Sequence, residues 1–228
     1  MPMQVFDKLK ELNTAYPNCV LTIGKYDGMH LGHQQILQRL KTVAAEMNLP
    51  SLVILSESQP EEFFAGKNAP ARLLSFADKL NFLESTGIDL VYKMTFDKKL
   101  SQLSAEDFIN DILYQGLGVK ALIVGDDFHF GKDRKGDFNL LQKQGKQLGF
   151  SVEAAKEYLK DGLRVSSTLL RKKLELGDCE AAHILLKRPY HLSGKVIKGQ
   201  QLGRELGYPT ANIKTNINKL ALEGVFAV

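Results

Sequence analysis

Short apolar segments alternate with amphipathic segments along most of this chain, and this alternation limits the possible fold more than any other feature. The apolar segments lie at residues 19–24, 51–55, 90–94, 121–125 and 151–155. Short apolar runs of this kind are typical of strands buried in a sheet. Strands separated by helices predict a parallel sheet with helices on both faces, which is an α/β fold.

The segments between and after these strands repeat apolar side chains at three- and four-residue steps, as amphipathic helices do. The predicted helices cover residues 31–47, 76–86, 104–115, 138–148, 167–176 and 180–186. In parallel sheets of this kind, ligands bind beyond the carboxyl ends of the strands. The chemistry is therefore expected just after Ile23, Leu55, Met94 and Val124.

The composition is that of a folded globular chain. Of the 228 residues, 44% are hydrophobic and 25% are charged, which excludes wholesale disorder. The sequence contains no run of about 18 apolar residues that could cross a membrane, and its N-terminus lacks the pattern of a secretory signal. Cys19 and Cys179 are too few for a disulfide scaffold and lack metal-ligand spacing. We expect a cytoplasmic enzyme or binding protein with no membrane partner.

The basic charge is concentrated near the C-terminus. Residues 187–228 contain seven lysines and arginines and two acidic residues, a net charge of +5, whereas residues 1–186 carry −1. Nucleic-acid-binding proteins normally place their basic residues on the folded body, so nucleic acid is not expected as a partner. Beyond residue 187 the alternation stops, and only residues 191–199 and 223–228 resemble strands. A second domain is therefore predicted to begin there.

The end of the first predicted strand contains the strongest chemical signal. Residues 24–33 read Gly-Lys-Tyr-Asp-Gly-Met-His-Leu-Gly-His. Gly24 and Gly28 permit a tight turn from strand to helix, and His30 and His33 share one face of the following helix. A helix N-terminus binds phosphate, and two imidazoles there can stabilise the charge of phosphoryl or nucleotidyl transfer. A pair of surface histidines, or half of a zinc site, is the alternative.

This segment resembles a signature of the prokaryotic bifunctional riboflavin kinase/FMN adenylyltransferase (FAD synthetase) family, Gly-x-Tyr/Phe-Asp-Gly-x-His-x-Gly-His. Four more segments resemble motifs of that family in the same order, at residues 124–131, 164–171, 186–190 and 203–212. The resemblance implies a Rossmann-like nucleotidyltransferase domain at residues 1–186. For residues 187–228 it implies the N-terminal fragment of a riboflavin kinase domain, an incomplete antiparallel β-barrel.

The resemblance implies that AMP is transferred from ATP to the phosphate of FMN, with FAD and pyrophosphate as products. A phosphate monoester is mostly dianionic at neutral pH, so it can attack without a general base. The site must instead hold two polyanions in line and screen their charge. The residues expected to do this, together with Mg²⁺, are His30, His33, Ser167 and Arg171. ATP binding is expected from Gly24, Lys25, Asp27, Gly28, Asp127, Arg164, Ser166 and Thr168.

Several of these residues also have a purely structural interpretation. Residues 166–168 begin a predicted helix and can cap it, which is compatible with phosphate binding because both use the same N–H groups. Arg171 can contact anionic oxygens in a bidentate manner or lie in solvent. Either Asp126 or Asp127 can contact the ligand.

The chain departs from the family pattern in two places. Before the aspartate of the motif, the family usually has Asn or Ser followed by a Phe-like residue, whereas this chain has Lys25 and Tyr26. Lys25 can contact phosphate or solvent. Residues 56–60 read Ser-Glu-Ser-Gln-Pro, where the family commonly has Phe-Glu-Pro-His-Pro. This segment borders the flavin side of the site. FMN contacts are expected from Glu57, Phe63, Asp97 and Phe128.

In the riboflavin kinase domain, the resemblance assigns Mg-ATP binding to Thr210 and Asn212, with Thr210 as a metal ligand. The family's kinase is a closed six-stranded barrel whose catalytic glutamate lies well downstream. Only Glu223 follows the motif, and its position does not fit that base. We therefore interpret the chain as C-terminally truncated, and we expect riboflavin phosphorylation of a full-length protein but not of this chain.

Two other functions are kept as alternatives. The chain could be another small-molecule adenylyltransferase of the same superfamily, or a non-catalytic relic that binds flavin or nucleotide. All the candidate functions imply small-molecule ligands. The sequence does not predict an oligomeric state.

Overall fold

The computed structural model describes residues 2–58, 60–199, 207–208 and 210–226. Its main sheet has six strands: β1 (Gln4–Phe6), β2 (Cys19–Ile23), β3 (Ser51–Ser56), β4 (Leu90–Met94), β5 (Val119–Gly125) and β6 (Ser151–Ala155). Their order across the sheet is β1-β4-β3-β2-β5-β6, and every neighbouring pair is parallel. The order reverses direction around β2, so the crevice for a ligand is expected at its carboxyl end.

The helices flank this sheet. The α-helices are α1 (Leu9–Ala15), α2 (Leu31–Met47), α3 (Pro60–Ala65), α4 (Phe76–Ser85), α5 (Lys98–Ser101), α6 (Ala105–Asp107), α7 (Phe138–Leu148), α8 (Ser167–Glu175) and α9 (Cys179–Leu186). A π-helix continues α6 over Phe108–Gly116, and short 3₁₀ turns lie at Gly66–Asn68 and Lys132–Arg134.

Alternate residues of each central strand point to opposite faces, as the pleat requires. Leu52 and Ile54 of β3 join a core with α1, the π-helix and α7. Val53 and Leu55 of the same strand join a second core with α2 and α4. The predicted parallel sheet with helices on both faces is therefore confirmed, and its central strands are buried on both sides.

Two smaller antiparallel pairs follow the main sheet. β7 (Leu159–Lys160) pairs with β8 (Leu163–Arg164), and β9 (Gly194–Ile197) pairs with β10 (Asn212–Thr215). The second pair agrees with the expected beginning of an antiparallel barrel. Within the described ranges, no helix has the length and apolar character needed to cross a membrane.

The structure corrects several elements predicted from the sequence. The predicted strand at 223–228 is wrong for residues 223–226, which have no strand partner, and the strand at 191–199 is shortened to β9. The helix at 104–115 is α-helical only in its first turn and continues as a π-helix. The elements β1, α1, α3, α5, β7, β8 and β10 were not predicted from the sequence.

Candidate functional site

The turn between β2 and α2 has a strained backbone. Tyr26, Gly28 and Met29 have φ angles of +48°, +88° and +48°. This left-handed region costs a bulky residue about 1–3 kcal/mol. Gly28 is further required by space, since a Cβ there would lie 2.8 Å from Cδ2 of Leu170. The turn thereby directs the chain into α2 with His30 as the N-cap residue.

His30 and His33 stack on each other at the start of α2. Their ring centroids are 3.7 Å apart, with an interplanar angle of 20°. The backbone N–H of His33 donates to Nδ1 of His30 at 3.4 Å, so the proton of a neutral His30 ring lies on Nε2. Tyr26 packs against His33 at 5.0 Å, and its hydroxyl lies 2.7 Å from Oγ1 of Thr22.

Both imidazoles are neutral at physiological pH. The pKa of His30 is lowered to about 4, mainly by burial; Asp27 opposes this shift, and the cations of Arg164 and Arg171 contribute to it. Burial holds the pKa of His33 well below its ordinary value, assisted by His30 and Lys79. Nδ1 of His33 is buried and has no hydrogen-bond partner within the described residues. The site therefore offers neutral imidazole donors to an anion.

Asp27 is a buried anchor for the turn. Its side chain is 0% exposed and accepts hydrogen bonds from the backbone N–H of Leu73 at 3.1 Å and of Leu74 at 3.3 Å. Arg171 donates to Oδ2 of Asp27 at 2.7 Å and to the carbonyl of Ala71 at 2.6 Å. The Asp27 carboxylate thus joins the turn to the 71–74 segment and to α8.

The first turn of α8 lies beside the histidine pair. Ser166 caps the helix by accepting from the backbone N–H of Leu169 at 3.2 Å. The hydroxyl of Ser167 donates to the backbone carbonyl of Asp27 at 2.7 Å. The N-termini of α2 and α8 therefore converge on one location, where their free N–H groups favour an anion.

A cleft of about 1140 Å³ opens above this turn, which is ample for a nucleotide and a second ligand. It lies at the carboxyl ends of β2, β3, β4 and β5. The sequence-predicted residues that line it are Gly24, Lys25, Asp27, His30, His33, Asp127, Phe128, Arg164, Ser166, Ser167, Thr168 and Arg171. Among the described residues, the lining does not include Gly28, Glu57, Phe63, Asp97, Thr210 or Asn212.

Three residues expected to contact FMN make contacts within the protein. Glu57 forms an ion pair with Lys93 at 3.0 Å, and Asp97 caps α5 by accepting from Leu100 at 2.8 Å. Phe63 packs edge-on against Phe96 at 5.5 Å. Their separation from the cleft lining follows from these roles, since the sequence places them near the site but does not show which way they point.

Two pairs of aromatic side chains line the cleft. Phe64 and Phe96 line the cleft and meet edge-on with ring centroids 5.8 Å apart. Phe128 and Phe130 also line it and stack on each other at 5.5 Å. Sequence reasoning missed Phe64 and Phe96, because no motif links positions so far apart in the chain. A flat conjugated ring can pack against such a surface.

Charged pairs border the cleft on two sides. Arg164 donates to Asp127 at 2.7 Å and contacts Glu157 at 3.0 Å, and the hydrogen bond to Asp127 raises the pKa of Arg164. Lys25, which departs from the family pattern, forms an ion pair with Glu61 of α3. Both Lys25 and Arg164 therefore have carboxylate partners that an incoming polyanion must replace or accommodate.

The described residues show no preformed set of side chains for a resident metal ion. They contain no group of three or more His, Cys, Asp or Glu side chains able to hold a metal. The Asp27 carboxylate is already used by protein donors. Mg²⁺ requires several oxygen ligands, usually carboxylates together with substrate phosphates.

The two residues expected in a kinase fragment lie away from the cleft. Thr210 is exposed, and Asn212 begins β10 opposite Ile197 of β9. Residues 203–206 and 209 of the same predicted motif lie outside the described residues.

A parallel sheet whose β2 strand leads through a glycine-containing turn to His-x-Gly-His at a helix N-terminus defines a nucleotidyltransferase of the Rossmann-like class. The family model described as FAD synthetase matches residues 12–169, and the model described as riboflavin kinase matches residues 186–228. The chain belongs to the FAD synthetase family.

Named relatives agree with this assignment. The chain is 45% identical over 226 residues to a protein of Haemophilus influenzae, covering 99% of this chain and 73% of the relative. A protein of Pseudomonas fluorescens is 47% identical, with 99% and 72% covered. Both are named bifunctional riboflavin kinase/FMN adenylyltransferase. The chain thus spans a little under three quarters of the length of these relatives.

A solved structure shares the fold. A crystal structure described as a macrolide-efflux protein from Streptococcus pneumoniae aligns with a TM-score of 0.77 and 24% identity, covering 95% of this chain and 70% of the other. This likeness supports the architecture alone.

Proposed function

We propose that this chain transfers AMP from ATP to the phosphate of FMN, forming FAD and pyrophosphate. The observation that carries the proposal is the stacked, neutral pair of His30 and His33, held by a strained turn on the floor of a nucleotide-sized cleft. The relatives named above as FMN adenylyltransferases support the choice of substrates.

The proposed reaction is a direct in-line displacement. A phosphate oxygen of FMN attacks the α-phosphorus of ATP, and the bond from that phosphorus to the bridging oxygen of the β-phosphate breaks. The bridging oxygen leaves with the electron pair as pyrophosphate. The protein contributes positioning and electrostatic stabilisation. Nε2–H of His30 donates to the phosphate oxygens on which negative charge increases.

We propose that the polyphosphate of ATP lies across the N-termini of α2 and α8. Unpaired backbone N–H groups in the first turns of these two helices would then donate to the phosphate oxygens. Lys25 and Arg164 lie beside it and can shift from Glu61 and Asp127 to phosphate oxygens. Asp127, released in this way, can accept hydrogen bonds from ribose or adenine.

Two residues assigned to catalysis from the sequence are better interpreted as positioning residues. Ser167 donates its hydroxyl to the backbone of Asp27, and Arg171 uses its donors on Asp27 and Ala71. These contacts support the turn. Asp27 and Gly28 likewise shape the ATP site without a side-chain contact to the nucleotide.

We propose that the isoalloxazine ring of FMN packs against Phe64, Phe96 and Phe128. These side chains line the same cleft as the histidines, and an aromatic wall suits a flat tricyclic ring. Glu57, Phe63 and Asp97 then support the segments that carry this wall.

Mg²⁺ enters this proposal only as part of the ATP substrate, because the described residues do not provide a ligand set for it. The division into domains at residues 1–186 and 187–228, the cytoplasmic location and the missing riboflavin kinase activity stay predictions. So does the role of Thr210 and Asn212.

The test is pyrophosphate release by the purified chain with ATP and FMN, with FAD measured by chromatography. We expect pyrophosphate and FAD in equal amounts, and neither product without FMN. Riboflavin in place of FMN is the control acceptor, since it lacks the attacking phosphate. Release with a phosphopantetheine-type acceptor but not with FMN would contradict the proposal, and binding of both ligands without turnover would indicate a non-catalytic relic.

A further inference from the structure

The backbone of the turn at residues 25–29 is held from four directions. Four of its carbonyl oxygens each accept a hydrogen bond from a side chain of a different element. The donors are Lys79 of α4 to Lys25 at 2.8 Å, Ser167 of α8 to Asp27 at 2.7 Å, Arg188 beyond α9 to Gly28 at 2.9 Å, and Gln34 of α2 to Met29 at 2.9 Å.

Such bracing is what a strained turn needs. Residues in sparsely populated backbone regions persist only where their surroundings determine them from several sides. Tyr26 and Met29 both have a φ of +48° without being glycine. Removal of a brace would allow this segment to relax toward a commoner conformation, and His30 would move with it.

Lys79 is the first of two donors to the turn that have no role assigned above. It is 1% exposed, and its ammonium donates to the carbonyl of Lys25 and lies 3.8 Å from the Asp27 carboxylate. Burying an ammonium is expensive, and here burial lowers the pKa of Lys79 to about 8. The charges of Asp27, Glu62, Arg72 and Arg171 also act on this ammonium, and its hydrogen bond to a backbone carbonyl goes to the turn.

Arg188 is the second residue that holds the turn and has no role assigned above. Its guanidinium packs on the ring of Phe82 at 5.0 Å and donates to the carbonyl of Gly28. Its Nε and Nη1 atoms are buried and make no hydrogen bond within the described residues. The hydrogen bond to Gly28 therefore offsets part of the free-energy cost of burying this guanidinium.

We propose that Lys79 and Arg188 are positioning residues for adenylyl transfer, which hold the turn so that His30 and His33 face the reacting phosphates. This inference rests on the function proposed above. It also means that the nucleotidyltransferase site extends past residue 186, because Arg188 belongs to the segment that follows α9.

The test uses Lys79→Met and Arg188→Met in the full chain. Lys41→Met is the matched control, because Lys41 also donates to a backbone carbonyl, that of Thr86 at 2.5 Å, but away from the cleft. Hydrogen exchange is measured for the amides of residues 25–33, and kcat and KM are measured for FMN adenylylation. Small displacements of catalytic groups cost roughly 100-fold in rate.

We expect faster exchange across the turn in Lys79→Met and Arg188→Met, with kcat lower by about 10- to 100-fold and KM for ATP changed by less than about threefold. Lys41→Met should leave both measurements unchanged. Arg188→Lys, which keeps a charged donor, should recover part of the lost kcat.

A folded variant with unchanged turn exchange and a kcat within about twofold of the control would overturn the inference. If a methionine variant does not fold, the same comparison is made with Lys79→Gln and Arg188→Gln, which remove the charge and shorten the side chain. If the unsubstituted chain makes no FAD, the proposed function fails, and turn exchange alone then decides whether these residues position the turn.

Discussion

His30 accepts a hydrogen bond at Nδ1 and stacks on a second buried imidazole, so its remaining N–H is directed by two independent contacts. A group fixed before substrate arrives needs no reorganisation during the reaction, which is the basis of electrostatic preorganisation. Because both rings are neutral, each carries a single ring N–H that can donate to a phosphate oxygen.

Replacing His30 removes the donor closest to the proposed reaction. For His30→Ala we expect a fall in kcat equivalent to about 2.7–4 kcal/mol, the loss seen when an oxyanion donor is removed, measured as FMN-dependent pyrophosphate release. His183→Ala, on α9, is the control and should be unaffected. An unchanged rate in His30→Ala would show that another group stabilises the transferred phosphate.

Replacing Phe64 tests the proposed contact between the aromatic side chains and FMN. It is 71% exposed, so Phe64→Ala should leave the fold intact while removing a stacking surface. A lost aromatic pair of about 0.5–1.5 kcal/mol corresponds to a KM for FMN about 2- to 12-fold higher, with KM for ATP unchanged. Leu176→Ala, at an equally exposed apolar residue, is the control. A selective rise in KM for ATP instead would contradict the proposed contact between Phe64 and FMN.

Among the elements, the buried central strands and the long amphipathic helices were the most readily predicted from the sequence. The central strands and α2 show clear apolar patterns, and the structure confirms them. β1 is a three-residue edge strand without a fully buried residue, and α3 has no buried residue at all. Neither therefore leaves a hydrophobic pattern in the sequence.

The β2–α2 turn can be tested against another glycine of similar backbone. Gly28 and Gly149 have φ angles of +88° and +80°, but only Gly28 would place a Cβ against other side chains. We expect Gly28→Ala to lower the free energy of unfolding by more than Gly149→Ala, by roughly 1–3 kcal/mol, and to abolish FAD formation. Chemical denaturation and activity assays measure both effects. Equal destabilisation with full activity in both variants would contradict this interpretation of the turn.

For the whole molecule, the sequence located the site but not all of the residues that build it. The glycines and histidines of residues 24–33 share a local motif, so their association was predictable. Lys79 and Arg188 could not be found in this way, since a buried cation is defined by elements that only tertiary packing brings together. Ser167 and Arg171 were found, but their donors turn toward the protein.

The buried histidines also make global stability depend on pH. The unfolded state binds a proton at His30 below pH 6.5, whereas the folded state resists protonation until about pH 4. Stability is therefore highest above pH 6.5 and falls as the pH decreases toward 4. For His30 alone we expect a loss of about 2 kcal/mol at pH 5 relative to pH 8, measured by urea denaturation. His30→Gln should show a shallower dependence, and an identical dependence would exclude His30 as its source.

The bond from Arg188 to Gly28 joins residues 160 positions apart. During synthesis the turn leaves the ribosome long before the residue that completes its bracing, and domains fold as their chains emerge. The sheet around β2 can assemble first, but the catalytic turn reaches its final backbone only when the segment after α9 has been translated. We therefore expect the final geometry of the turn to depend on a residue that is synthesised 160 positions after Gly28.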